Sequence, residues 1–191
     1  MQTDISAQKK QLRAHALALR AFENAQEKQS ADLALCHHIA AQQAFSQADL
    51  LLAFSPVRGE PDLTPLFELA LQRGIVLAFP RCEGKQMHFH AVNALCALEA
   101  GRFGIPAPTQ TAPRVQPTAR TLCLLPGLGA TKDGHRLGYG GGFYDRFLAD
   151  FPGVTLFPIY EKLLFPSLPR EPFDLAAQIV ISEKGVVFTH V

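Results

Sequence analysis

Short apolar runs of strand length, set apart by stretches of helical spacing, constrain this chain more than any other feature. Residues 50–54, 75–79, 121–125, 154–159 and 178–182 read as buried strands, the second of them stopped by Pro80. Residues 4–20, 25–43 and 64–73 carry helical periods, the last ending at Gly74 where a C-cap is needed. A further helix starts near Gly142 and runs to about Phe151. Residues 87–92 alternate as a strand does, and 186–190 read as a terminal strand. Strands alternating with helices predict an α/β fold, a largely parallel sheet flanked by helices. The proline-bearing stretch 107–119 has no apolar period and reads as a surface loop. Splitting the chain there would leave two thin cores, so residues 1–191 are expected to form a single layered domain.

With 48% hydrophobic and 18% charged residues the chain belongs with globular proteins and not with disordered ones. A formal net charge of +1 offers no general attraction for nucleic acid or an anionic membrane, so neither is an expected partner. No run reaches membrane-span length, and the polar start MQTDISAQKKQLR lacks the apolar core of a signal peptide. Cys36, Cys82, Cys96 and Cys123 are scattered, without a CxxC pair, which suits free, mostly buried thiols in a cytoplasmic protein. His37 and His38 have no third ligand, and His88 and His90, on one strand face, read as exposed histidines and not as a metal site.

The run Asp133-Gly-His-Arg-Leu-Gly-Tyr-Gly-Gly-Gly-Phe-Tyr-Asp-Arg146 carries most of the functional information. Gly138, Gly140, Gly141 and Gly142 crowd the approach to a helix, where backbone N–H groups and the helix start can meet an anion. Arg136 and Arg146 are candidate phosphate forks, and Asp145, the acid beside them, is a natural partner for Mg²⁺. The run is not a P-loop, lacking the Lys-Ser/Thr ending, nor the dinucleotide fingerprint, whose last glycine would fall at Phe143. A turn that merely reverses the chain is the plainer alternative, and these residues alone do not name the anion.

Leu125-Pro-Gly-Leu-Gly129, followed by the Gly134–Arg146 run, resembles the signature of the 5-formyltetrahydrofolate cyclo-ligase family. Lys9 and Arg13 match its N-terminal Lys-x-x-x-Arg, Gly59-Glu-Pro-Asp-Leu-Thr64 its substrate-side glutamate, and Phe103-Gly-Ile-Pro-Ala-Pro108 its central loop. Asp174 and Ser182-Glu183 resemble its C-terminal stretch. The resemblance implies an α/β fold and an ATP- and Mg²⁺-dependent ligase. ATP would phosphorylate the N5-formyl oxygen, N10 would attack the activated carbon, and 5,10-methenyltetrahydrofolate, ADP and phosphate would leave. It implies that Lys9, Arg13, Gly134, Arg136, Leu137, Gly138, Tyr139, Gly140, Gly141 and Gly142 hold ATP. Asp145 would hold Mg²⁺, while Ser55, Glu60, Phe103 and Tyr144 would hold the folate, itself a candidate for polyglutamylation. Arg136 and Tyr144 would act on the reacting groups, in a monomer or weak homodimer.

The pattern is broken at Ala130-Thr131, where the family continues Phe-Asp, at Ala107, at Phe173 before Asp174, and near Leu163. Thr131 removes a carboxylate beside the nucleotide loop, with Asp133 as a candidate replacement. These departures favour an alternative reading, a non-catalytic folate- or nucleotide-binding paralogue that buffers or senses its ligand.

Overall fold

The computed structural model describes residues 4–101 and 104–190. Helix α1 (Ile5–Leu19) starts where the Asp4 side chain accepts the Ser6 amide, and α2 (Ala25–Ala40) where Asn24 accepts the Glu27 amide. The expected helix 25–43 breaks after Ala40, and a separate turn of helix, α3 (Gln43–Ser46), follows. Strand β1 (Leu50–Leu52), helix α4 (Thr64–Gln72) and strands β2 (Val76–Glu83) and β3 (Gln86–Val92) come next. The chain then forms β4 (Glu99–Ala100), β5 (Pro106–Ala107), β6 (Thr121–Leu124), β7 (Gly129–Ala130) and β8 (Arg136–Leu137). Helix α5 (Phe143–Leu148) leads to β9 (Val154–Pro158), β10 (Ile179–Ser182) and β11 (Gly185–Thr189).

The central sheet has seven strands in the order β11-β10-β9-β6-β1-β2-β3. Neighbours from β10 to β2 pair in parallel, and only β3 and β11 add antiparallel edges. The largely parallel sheet flanked by helices is therefore as the apolar runs indicate. Leu51, Leu52, Leu122, Leu124, Leu156, Phe157, Val180 and Ile181 are all at 0% exposure. Burial on both faces is why these strands read as unbroken apolar runs; each such side chain contributes roughly 1.5–3 kcal/mol.

Pro80 does not stop β2 but lies inside it, opposite Phe89. The Ala78 carbonyl accepts from Ala53 at 2.8 Å, so Ala78 and, two residues on, Pro80 turn their peptide groups toward β1. Since β1 ends at Leu52, the missing N–H faces no ladder. The stretch 107–119 is less free than expected, because β5 pairs with β4 and Arg114 bridges to His90. His90 is buried, its Nδ1 2.7 Å from the Ala112 carbonyl, and so is not an exposed strand histidine. Cys36, Cys96 and Cys123 are free thiols; Cys36 and Cys123 are buried, Cys82 is half-buried and Cys96 exposed, a more even split than expected. Among the described residues no helix is long and apolar enough to cross a membrane.

Candidate active site

From β1 the chain passes through α4 to β2 and β3, then returns to β6 on the other side of β1. Direction therefore reverses between β1 and β6, and ligands of open α/β sheets bind beyond the carboxyl ends of the strands at such a point. A cavity of about 610 Å³ opens there, lined by Phe54 and Ser55 beyond β1, Pro126 beyond β6, and Pro80 and Cys82 on β2. Its far wall is the segment Gly138–Asp145 with Arg136, and Glu60 and Ala107 complete it.

Glu60 is held from below. Arg58 and Gly59 take left-handed φ values of 49° and 77°, folding the chain back so that Glu60 Oε2 accepts the Val57 amide at 3.0 Å. Its Oε1 accepts the Gly127 amide at 3.1 Å. Burial pushes this carboxyl up to about 7, against the Val57 amide, the Arg20 charge, Tyr139 and the Gly127 amide, which all favour its ionised form. Ser55 is also buried at the wall, but its hydroxyl donates to the Pro106 carbonyl at 2.6 Å and so ties down the 106–107 segment. Phe103 lies outside the described residues.

The glycine loop forms between the β7–β8 hairpin and α5, the hairpin being an element that the run of glycines conceals. Arg13 reaches it from α1, its Nε donating to the Gly138 carbonyl at 2.8 Å while its guanidinium lies against Gly140. Arg136 lies under Gly138, and its Nη2 donates to Asp145 Oδ1 at 2.6 Å. Arg136 and Tyr144 both line the cavity, and Arg136 Nε and the Tyr144 hydroxyl are buried without a hydrogen-bond partner, unsatisfied polar atoms of the kind that call for an explanation. Burial holds the Tyr144 hydroxyl well above the usual phenol range, so it is neutral. Helix α5, six residues long, is too short to supply the helix-start field expected of it. Arg146 turns away, donating to the Lys85 and Gly141 carbonyls.

Several expected contacts fall elsewhere. Lys9 is buried with its Nζ 2.6 Å from both Glu171 Oε2 and Asp174 Oδ2, and it lines no part of the cavity. Burial lowers the pKa of this ammonium, but the hydrogen bonds it donates to Asp174 and Glu171, with their charges, outweigh burial and leave the net shift upward. Gly134 and Leu137 also lie off the cavity: Gly134 packs under the Ala177 carbonyl and Phe188, and Leu137 is buried, its carbonyl accepting from Leu128. Thr131 is buried at the hairpin turn, where its hydroxyl donates to Asp133; Asp133 faces outward, 3.7 Å from Arg170, and does not take a place at the cavity. Tyr139 does line the cavity, but its hydroxyl accepts from Arg20 at 2.8 Å. Sequence reasoning passed over Arg20, because a cation at a helix end reads as an ordinary C-terminal charge.

Among the described residues no three His, Cys, Asp or Glu side chains gather as a metal site. Mg²⁺ in phosphoryl-transfer sites needs only one or two carboxylates plus phosphate oxygens, and a lone Asp145 fits that sparse donor set and no richer one.

The model of the 5-formyltetrahydrofolate cyclo-ligase family matches residues 5–183. The 5-formyltetrahydrofolate cyclo-ligase of Mus musculus is 24% identical over 179 residues, spanning 86% of this chain and 88% of its own. That of Mycolicibacterium smegmatis is 29% identical over 146 residues, 71% of this chain and 74% of its own. Among solved structures, Aquifex aeolicus 5,10-methenyltetrahydrofolate synthetase superposes with a TM-score of 0.82 at 30% identity, covering 93% of this chain and 91% of that one. The Mycoplasma pneumoniae 5,10-methenyltetrahydrofolate synthetase shares the fold, with a TM-score of 0.72 at 20% identity.

Proposed function

The chain belongs to the 5-formyltetrahydrofolate cyclo-ligase family, and from that premise we propose how its cavity converts 5-formyltetrahydrofolate to 5,10-methenyltetrahydrofolate. The observation that carries the reading is a single cavity with a buried carboxylate, Glu60, on one wall and a glycine loop held by Arg13 and Arg136 on the other. ATP is the cosubstrate, supplying the phosphoryl group that makes the formyl oxygen a leaving group.

The ionised Glu60 accepts N–H groups of the pterin with the lone pairs that Val57 and Gly127 leave free, fixing the formyl group toward the loop. The amides of Gly138–Gly142, with Arg13 and Arg136, hold the phosphates. Arg136 stabilises charge that develops on the transferring group, through the Nε left unpaired by its contact with Asp145. The neutral Tyr144 hydroxyl donates to an oxygen of the reacting centre, and Asp145 is the residue that would hold Mg²⁺ with the phosphates. In the same reading the protein acts as one domain, a cytoplasmic monomer or weak homodimer that accepts polyglutamylated folate, with neither nucleic acid nor membrane as partner. Ser55 and Phe103 belong to the folate side, and Lys9 acts by anchoring the loop 171–174 behind Arg13.

The direct test mixes the protein with 5-formyltetrahydrofolate and Mg²⁺, with and without ATP, and follows the near-ultraviolet band of the methenyl product. Growth of the band only with ATP is the expected result. No band, with tight calorimetric folate binding, would replace the ligase by the non-catalytic binder.

The raised Glu60 pKa gives a pH signature. Its ionised fraction falls as pH drops through about 7, so folate affinity should be flat above about 8 and weaken by up to about tenfold per unit below 7. Glu60→Gln should bind folate weakly at every pH and lose this slope, with ATP affinity nearly unchanged. A variant that keeps the slope would exclude Glu60 as the titrating group. The same burial disfavours the charged native state, so the Glu60 contribution to stability is full below about 4.5 and is lost as pH rises through about 7.

A further inference from the structure

Arg20 is 3% exposed, yet it is no ordinary helix-end cation. From the end of α1 its Nη2 donates to the Gly127 carbonyl and its Nη1 to the Tyr139 hydroxyl at 2.8 Å. Each of these partners in turn faces Glu60: the Gly127 amide donates to Oε1 at 3.1 Å, and Tyr139, on the same cavity wall, favours the ionised form of the carboxyl. Gly127 has no freedom to adjust, since a Cβ there would meet Phe157 Cζ at 2.8 Å. One guanidinium thus fixes both a peptide beyond β6 and the tyrosine of the glycine loop around one carboxylate.

We propose that Arg20 is a positioning residue, which sets the Glu60 carboxylate for the folate by clamping Gly127 and Tyr139 against it. The inference rests on the reading of Glu60 as the folate-binding carboxylate. A buried guanidinium whose Nε has no partner is a poor device for stability alone, because an apolar side chain would fill the space without a desolvation cost. Its other polar contact, 3.5 Å from the Arg58 carbonyl, also lies on the turn that presents Glu60. Glu60 is faced by Arg20 from α1, by Tyr139 from the glycine loop and by Tyr144 from α5, with the Val57 and Gly127 amides beneath it. Arg20 is the cation among them.

The test is the pH profile of kcat/KM for 5-formyltetrahydrofolate, with KM for ATP measured alongside. Arg20→Gln should move the acid limb upward by about half a unit or more and lower kcat/KM at pH 7 by roughly tenfold, with KM for ATP changed less than about threefold. Arg20→Lys should restore the limb to its wild-type position while the folate KM stays raised, because an ammonium keeps the charge but not the two-pronged hold. An unmoved limb in Arg20→Gln, or equal losses for folate and ATP, overturns the proposal in favour of a purely structural arginine. If Arg20→Gln does not fold, Arg20→Lys decides: a wild-type folate KM overturns the clamp and a raised one supports it. A wild-type limb that persists in Glu60→Gln refutes the Glu60 reading itself, a failure distinct from that of Arg20.

Discussion

Arg136→Ala is expected to lower turnover by about 10²–10³-fold, the usual loss when a preorganised cation is taken from a transferring phosphoryl group. The effect on folding will be smaller but not zero. The Arg136 side chain is 5% exposed and bonded to Asp145 at 2.6 Å, so its removal leaves a carboxylate without its partner. Asp145 keeps 26% of its side-chain exposure, and solvent screening limits the stability cost to roughly 1–2 kcal/mol, short of the 3–5 typical of a fully buried pair. The two losses can be separated by a second variant. Arg136→Met with Asp145→Asn removes both charges and fills the same space, so it should recover most of the lost thermal stability. Turnover in single-turnover mixing should stay low, because the phosphates lack the arginine and the Asp145 carboxylate assigned to Mg²⁺ is gone as well. If the double variant recovers turnover together with stability, Arg136 serves the fold alone.

The parts of the molecule that were legible in the sequence are those where one local rule acts without competition. Strands buried on both faces must be largely apolar, so residues 50–52, 122–124 and 179–181 identified themselves. Pro80 misled because the rule that proline ends a strand assumes neighbours on both sides, and β1 ends before reaching it. The glycine run announced a backbone that must approach something closely, yet spacing cannot say what. The answer is Arg13 at Gly140, Arg136 at Gly138, and Ala177 and Phe188 at Gly134. Lys9 and Arg13 are one helical turn apart and were expected to act together. They part because Glu171 and Asp174, more than 160 positions away in sequence, arrive beside only one of them. Arg20 was invisible for the same reason: its role depends on Gly127 and Tyr139, brought to it by the return of the chain across the sheet.

Two glycines of the one motif should therefore fail in opposite ways when given a methyl group. At Gly134 an added Cβ would lie 2.5 Å from the Ala177 carbonyl and 3.0 Å from the Phe188 ring, at a φ of +89°. Gly134 is also hydrogen-bonded to that neighbour, its carbonyl accepting the Ala177 amide at 2.8 Å, so the approach cannot open without breaking the link to the segment that leads into β10. Overpacking and backbone strain together predict a loss of about 2–4 kcal/mol for Gly134→Ala, or a fall in Tm of roughly 5–15 °C. The molecules that remain folded should bind ATP as before, since Gly134 lies off the cavity. At Gly140 the φ is +96°, but the added Cβ would meet the Arg13 guanidinium at 3.2–3.4 Å, the far end of a flexible side chain. Arg13 can retreat, so Gly140→Ala should carry mainly the backbone strain of about 1–2 kcal/mol. Retreat, however, breaks the Arg13 bond to the Gly138 carbonyl and, in the proposed site, takes the cation from the loop that would hold the phosphates. ATP affinity should then fall by about tenfold or more, the scale of one charge-assisted contact. Thermal unfolding and calorimetric ATP titration of both variants give the comparison, and a Gly134→Ala protein that stays stable but loses ATP would return that glycine to the nucleotide site.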